Sequence, residues 1–303
     1  MDKHIKNDII IVISFYLGGT IMEKIALITD SASDISIELL EKNKIKLLPF
    51  KVIYSDREYE DRIDITPKMM YERLKMEIPK TSLPSVEKMN NVFKEAVNEG
   101  CTHAIIITIS AAFSGTYNAI RLVCEDFPEL QTFIFDSKTL TMAEGIMVLE
   151  TANLIREGKS FKEITEILPS YREKIDLFFT IETLEYLQKG GRIGKVAGTV
   201  GELLNIKPII TVANDGTYRT AAKVRGSKQS VSKLTDIFKT YLEKGKYKAW
   251  ILDGDGLDKV QNLYKAIKDL PNVVECTIAG TIGPALGVNT GPGLVGLAIE
   301  RVD

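Results

Sequence analysis

The run AIIITI, residues 104–109, restricts the fold more than any other stretch of the chain. A strand with one face in water alternates apolar and polar positions; this one is apolar on both faces and has to be covered from both sides. Helices above and below a parallel sheet give that cover, and the flanking sequence supplies them. KIALIT, from Lys24, is a short apolar strand, and DISIELLEKN carries Ile35, Leu39 and Leu40 at helical spacing. IKLLPFKVIY reads as a returning strand. Thr66-Pro67 reads as an N-cap followed by proline in the first turn of a helix, and PKTSLPS as a breaker-rich loop. A helix with Val86, Met89, Phe93, Ala96 and Val97 on one face leads into AIIITI. After the loop SAAFSG comes a helix bearing Tyr117, Ile120, Cys124 and Phe127, then the strand TFIFDS and the helix TLTMAEGIMVLETANLIREG. Repeated β-loop-α units predict an α/β fold with a doubly wound, mainly parallel sheet in the first half.

The pattern changes near residues 156–160. FKEITEILPSYREK is amphipathic, with Phe161, Ile164, Leu168 and Tyr171 in register. LFFTI is a strand, followed by a short helix ending at QKGGRIG. PIITVANDGTYRTAAKV reads as two strands joined at Asn214-Asp215-Gly216, a hairpin signal. A helix over about 227–243, the strand AWILDG, the helix VQNLYKAIKDL and the strand VVECTIAG follow. A loop rich in glycine and proline, GPALGVNTGPG, then leads to a last strand, LVGLAIE. Hairpins mixed with helices predict an α+β domain with a mixed, largely antiparallel sheet. A chain of 303 residues suits two cores better than one. The expected domains are 22–157 and 158–303, after an N-terminal extension over 1–21 that is expected to be disordered or not native. Its apolar run at 9–17 is too short to span a bilayer and no small-residue cleavage site follows it, so a signal or anchor is the minority alternative.

Composition narrows the partners. The formal net charge is −2, with Lys and Arg dispersed, whereas nucleic-acid binding needs a concentrated basic face. No stable membrane insertion is expected. Cys101, Cys124 and Cys276 are odd in number and widely spaced, which predicts reduced thiols in a cytoplasmic protein, with no metal site. His4 and His103 are the two histidines, and His103 sits at the start of the AIIITI strand. A histidine-rich metal site is excluded, and a Ser-His-Asp hydrolase would have to use His103.

Ligands of open parallel sheets bind beyond the carboxyl ends of the strands. Two loops there are rich in hydroxyls: KTSLPS presents Thr81, Ser82 and Ser85, and SAAFSGT presents Ser110, Ser114 and Thr116, with Gly115 permitting close backbone approach. Helix N-termini at such loops favour an anion. Any one of these residues is explained by helix capping alone. Two such loops together, with Asn289 and Thr290 in a third, point to a ligand. A phosphate site normally adds a lysine or arginine, and apart from Lys80 at the margin none of the three loops holds one. Neutral donors fit a carboxyl group in a low-dielectric cleft, each hydrogen bond contributing about 0.5–1.5 kcal/mol.

DSASD (30–34), TSLPS (81–85), ISAAFSGTYNA (109–119), FDSKT (135–139), KGGRIG (189–194), NIKPII and IGPALGVNTGPGLVG occur in the order and spacing of the DegV family, which the chain resembles from about Lys24 to its C-terminus. The resemblance implies a two-domain carrier, not itself an enzyme and without a cofactor, that buries a long-chain fatty acid between its domains. In the bacterial fatty-acid kinase system such proteins present the acyl carboxylate to a separate kinase subunit, giving an acyl phosphate. Carried over, the carboxyl-binding hydroxyls are Thr81, Ser82, Ser110 and Ser114. Position 111 is Ala where the family more often has Ser, and Asn289 stands where it usually has His. Asparagine still donates through its amide but carries no proton at neutral pH. By position, Ile109, Phe113, Met142, Ile146, Phe178 and Ile193 are candidates for the acyl tunnel, against ordinary core packing. Arg192, Lys223 and Arg225 are candidates for a basic rim facing a partner or a phosphoryl group. Asp30-Ser31 and Asp136-Ser137 are expected to cap helices and fix loops, with Ser137 a marginal ligand contact. The alternatives are a serine esterase or thioesterase using Ser110 or Ser114, which lacks a G-x-S-x-G elbow, and a protein binding a phosphorylated metabolite.

Overall fold

The computed structural model describes residues 23–199 and 206–302; the extension at 1–21 and Asn205 of the NIKPII motif lie outside the described residues. In the first half, β1 (Ile25–Asp30), β2 (Ile45–Leu48), β3 (Lys51–Ile53), β4 (Glu58–Glu60), β5 (Lys80–Ser82), β6 (His103–Thr108) and β7 (Gln131–Asp136) are strands. They alternate with helices α1 (Ile37–Lys42), α2 (Pro67–Leu74), α3 (Val86–Asn98), α4 (Thr116–Cys124) and α5 (Met142–Arg156). Among the described residues, β2-β1-β6-β7 form a sheet that is parallel throughout. Its two faces divide the AIIITI run as a doubly covered strand requires. Ala104 and Ile106 pack with Met89 and Phe93 of α3 and Ile120 of α4, while Ile105 and Ile107 share a core with Ile146 and Met147 of α5.

Two expectations fail in this half. IKLLPFKVIY is not one strand: it breaks at Pro49-Phe50, and β3 leaves for a separate antiparallel sheet ordered β4-β3-β5. Proline has no N–H with which to continue a ladder, and Phe50 N–H is taken instead by Ser31 Oγ at 3.0 Å. KTSLPS is likewise not all loop, because Lys80–Ser82 forms β5 beside β3. Strands of three residues leave too little alternation to read.

The second half contains α6 (Phe161–Arg172), β8 (Ile175–Thr180), α7 (Glu185–Lys189), β9 (Ile206–Val212), β10 (Tyr218–Arg225), α8 (Ser227–Leu242), β11 (Tyr247–Gly254), α9 (Leu257–Ile267), β12 (Val273–Thr281), α10 (Pro284–Thr290) and β13 (Leu294–Arg301). The strands lie in the order β10-β9-β8-β13-β11-β12, antiparallel except for the β11–β12 pair. One face, with Phe178, Ile251 and Leu297, is covered by Leu234 and Phe238 of α8 and Val260 of α9. The opposite face, with Leu177, Phe179, Ile210 and Leu252, joins the core that also holds α5 and α6. The stretch expected as a glycine-rich loop is a short helix, α10, which packs against α2 and α7.

Candidate functional site

A cavity of about 180 Å³ opens between the two halves at the carboxyl end of β6. Thr81 and Ser82 of β5, Ser114 and Gly115 at the start of α4, and Asn289 and Thr290 of α10 line it, with Ile109, Phe113 and Arg192. Three segments far apart in sequence thus meet in one place. A second cavity of about 20 Å³ shares Leu140, Tyr218, Leu286 and Thr290 with the first and continues among Leu177, Phe179, Leu252 and Leu294. The site therefore has a polar end and an apolar end.

The polar side chains are held in different ways. Ser114 Oγ lies 2.7 Å from Thr116 Oγ1 and accepts from Thr116 N–H at 3.3 Å, so the buried Thr116 supports Ser114 from outside the lining. Asn289 Nδ2 donates to Ala285 O one turn back at 2.9 Å, which leaves its Oδ1 against Gly190, where there is no room for a Cβ. Thr290 Oγ1 donates to Leu286 O at 3.3 Å. Arg192 reaches the cavity from the loop after α7, donating to Gly190 O at 2.6 Å and to Phe113 O at 3.4 Å. The three hydroxyl-bearing segments bring no cation to the lining, and Arg192, a candidate for the basic rim, brings one from a fourth segment.

Other candidates stand elsewhere. Ser110 is 1% exposed and outside the lining; its Oγ donates to Gly216 O at 2.9 Å and ties the loop to the β9–β10 turn. Gly216 has φ +78°, and a Cβ there would run into Ser110 Oγ. Phe178 points to the α8 side of its sheet, with its ring 5.7 Å from that of Tyr241. Its neighbour Phe179 faces the cavity, since successive strand residues alternate faces. Met142 and Ile146 belong to the core, and the half-buried Ile193 packs against it; none of the three lines the cavity. Lys223 and Arg225 are exposed on β10, also outside the lining. Ser137 is buried and bonded to Thr139 O at 3.2 Å. His103 starts β6, 4.7 Å ring to ring from Phe161. The six residues of β6, about 20 Å of strand, separate it from the serines, so His103 is out of reach as a base for them.

Tyr218 was not foreseen. Its ring lies 4.2 Å from that of Phe113 and 5.3 Å from that of Phe179, at the junction of the two cavities. The one available signal was an aromatic residue directly after the NDGT turn. Burial pushes its phenol pKa up, against the pull of Arg192.

Behind the site lies a group of buried carboxyls: Asp30, Asp34, Asp61 and Glu144. Asp30 accepts from Ile109 N–H at 2.9 Å and Ala32 N–H at 3.0 Å; burial, with Asp61 and Asp34 nearby, outweighs these bonds and pushes it up to about 7. Asp61 is also pushed up to about 7 by burial, against the bonds from Ser31 Oγ at 2.6 Å and Ala285 N–H at 3.1 Å. Asp34 is raised by burial although Arg62 sits at 2.7 Å and Thr141 Oγ1 at 2.5 Å. Glu144 is raised well above the ordinary range by burial and by Asp30. Among the described residues, no group of three or more His, Cys, Asp or Glu side chains is arranged to hold a metal ion, and no helix is long and apolar enough to cross a membrane.

A family model described as "Uncharacterised protein, DegV family" matches residues 24–302. The chain is 44% identical over 278 residues to a DegV domain-containing protein of Clostridium acetobutylicum, covering 92% of this chain and 99% of that one. It is 46% identical over 280 residues to one of Clostridium perfringens, covering 92% and 99%. Among solved structures it is similar to a fatty-acid-binding DegV family protein from Thermus thermophilus, with TM-score 0.85 and 30% identity over 92% of this chain and 100% of that one. A stearic-acid-binding protein from Eubacterium ventriosum is similar with TM-score 0.81 and 30% identity, covering 92% and 98%.

Proposed function

The chain belongs to the DegV family, and from that premise we propose that it binds a long-chain fatty acid between its two domains, divided near residues 157 and 158. The observation that carries the proposal is that the two cavities adjoin: a polar one lined by hydroxyls, an amide and Arg192 shares Leu140, Tyr218, Leu286 and Thr290 with an apolar one lined by Leu177, Phe179, Leu252 and Leu294. A carboxyl head and an alkyl tail are the two chemistries that fit such a sequence of surroundings. Thr81, Ser82 and Ser114 would supply neutral donors and Arg192 a charged one, while each buried methylene adds about 0.8 kcal/mol. Similar proteins are described as binding fatty acid, and one as binding stearic acid. At about 180 and 20 Å³ the cavities fall below the ~300 Å³ at which small-molecule sites usually begin, so this reading requires the side chains around Tyr218 and Phe179 to move apart for the tail.

The finer role is that of a cytoplasmic carrier that presents the acyl carboxylate to a separate kinase subunit for conversion to an acyl phosphate. Arg192 would face the transferred group, and Asn289, in the place of the usual histidine, would bind without exchanging a proton. Organic extraction of the purified protein followed by mass spectrometry is expected to release fatty acid, and delipidated protein is expected to take up palmitate or oleate. A clean extract together with no uptake overturns the proposal.

A further inference from the structure

We propose that Asp34 and Asp61 are positioning residues for the carboxyl end of the site: from the first half of the chain they hold the N-terminal turn of α10, and through it they set where Asn289 and Thr290 stand. The inference rests on the fatty-acid reading for its consequence, though not for its geometry.

The N–H groups at the start of a helix have no acceptor within it and are normally met by a nearby side chain. At α10 the N-cap is Gly283, which has no side chain to offer. The accounting nevertheless closes. Gly283 N–H donates to Asp34 Oδ1 at 2.7 Å, Pro284 has no N–H, and Ala285 N–H donates to Asp61 Oδ1 at 3.1 Å. Leu286 and Gly287 N–H groups bond Gly283 O at 3.1 and 2.9 Å. The cap is complete, and both of its carboxylates come from residues 249 and 224 positions away.

A helix of seven residues is marginal without such support. Asn289 and Thr290 sit at its far end, about 10 Å along the axis. The anchors are themselves braced: Asp61 by Ser31 Oγ, which also receives Phe50 N–H, and Asp34 by Arg62 and Thr141. Phe50 lines the cavity, and Ile109, held by Asp30, lines it as well. The DSASD motif thus registers three walls of the site against one another.

The anchors should also respond to pH. Around them stand Asp30 at the end of β1, Glu144 on α5, Arg62 after β4 and Tyr71 on α2, with Tyr186 of α7 packed against Gly291. Among these described groups Arg62 is the one cation, paired with Asp34 and acting on Asp61, so raising the pH adds like charge to a buried cluster. Opening it to water relieves that repulsion.

The test compares Asp61→Asn, which keeps an acceptor for Ala285 N–H without charge, with Asp61→Ala, which removes it. In the delipidated protein, Ala285 amide-exchange protection should fall at least tenfold in Asp61→Ala while the β6 amides keep theirs, and the Asn289 side-chain amide signals should shift. Palmitate affinity should fall about tenfold in Asp61→Ala and stay within about threefold in Asp61→Asn. Between pH 6 and 8, corrected for intrinsic exchange, wild-type Ala285 protection should decline severalfold and that of Asp61→Asn clearly less, because Asp30 still titrates there. A folded Asp61→Ala protein with unchanged Ala285 protection and Asn289 signals overturns the inference. If Asp61→Ala does not fold, the pH profiles of wild type and Asp61→Asn decide, and matching profiles overturn it. Failure of the wild type to bind palmitate would remove the fatty-acid reading and leave the exchange measurements to judge the anchors.

Discussion

Thr81 and Ser82 reach the cavity on a strand whose backbone is committed to β3, so their hydroxyls can change without disturbing a cap. Ser114 is less separable, because removing its Oγ also strips Thr116 of its partner. The double change Thr81→Ala with Ser82→Ala is therefore the cleaner probe. It is expected to weaken palmitate binding by about 1–3 kcal/mol, the cost of leaving a buried acceptor without donors, with little effect on thermal unfolding. Titration of delipidated protein measures it, and unchanged affinity would place the carboxyl group elsewhere. That these hydroxyls, Ser114, Asn289 and Thr290 line one cavity was foreshadowed by the recurrence of hydroxyl-rich segments, although capping explains any one of them. Ser110 and Phe178 were not. Ser110 is claimed by a carbonyl 106 residues away, which no local pattern encodes. In LFFTI both phenylalanines are buried because the strand is covered on both faces, so hydrophobicity could not say which of them faces the cleft.

The same limit explains the element that sequence reasoning misread. α10 has glycine at its N-cap, proline next and glycine after its end, and its capping groups lie in another part of the chain. Its proline in the first turn and glycine past the end are helix-boundary signals. Four glycines and a second proline within eleven residues outweigh them locally, and the tertiary partners decide for a helix. Gly287 serves close packing, since a Cβ there would run into Met70 of α2. Gly291 ends the helix at φ +70°, and a Cβ there would enter the ring of Tyr186 on α7. Gly291→Ala combines a left-handed backbone, costing about 1–3 kcal/mol, with a clash that has to move Tyr186. It is expected to lower the unfolding midpoint in a denaturant titration and to weaken palmitate binding, because Thr290 is its neighbour. A stability equal to the wild type would mean that α7 yields freely. By contrast, the parallel strands, the NDG hairpin and the long helices were readable, since each carries its periodicity within its own residues.

At the scale of the molecule, the two halves meet across carboxyls that are easier to protonate folded than unfolded, and the sign of the consequence can be worked out. Asp30 and Asp61 titrate at about 7 in the folded chain against an ordinary 3.8, with burial the leading cause in both. Between these values the folded state holds protons that the unfolded state has released, so stability falls as pH rises. Their contribution is fully present below about pH 4, is lost through pH 7 and is flat above it. Glu182 acts in the opposite sense. Burial would raise it, but bonds from Lys259, Ser227 and Lys207 hold it at about 2. Its contribution is therefore present above its ordinary 4.5 and lost as pH falls toward 2. In the window from about pH 5 to 7 Glu182 is already ionised in both states, and the buried carboxyls should set the slope. Urea unfolding across that window is expected to show stability declining with pH by an amount on the order of a few kcal/mol, with a shallower decline in Asp61→Asn. A wild-type profile that rises from pH 5 to 7 would mean that water reaches these carboxyls in the folded protein, and that the two halves are not registered through a dry cluster.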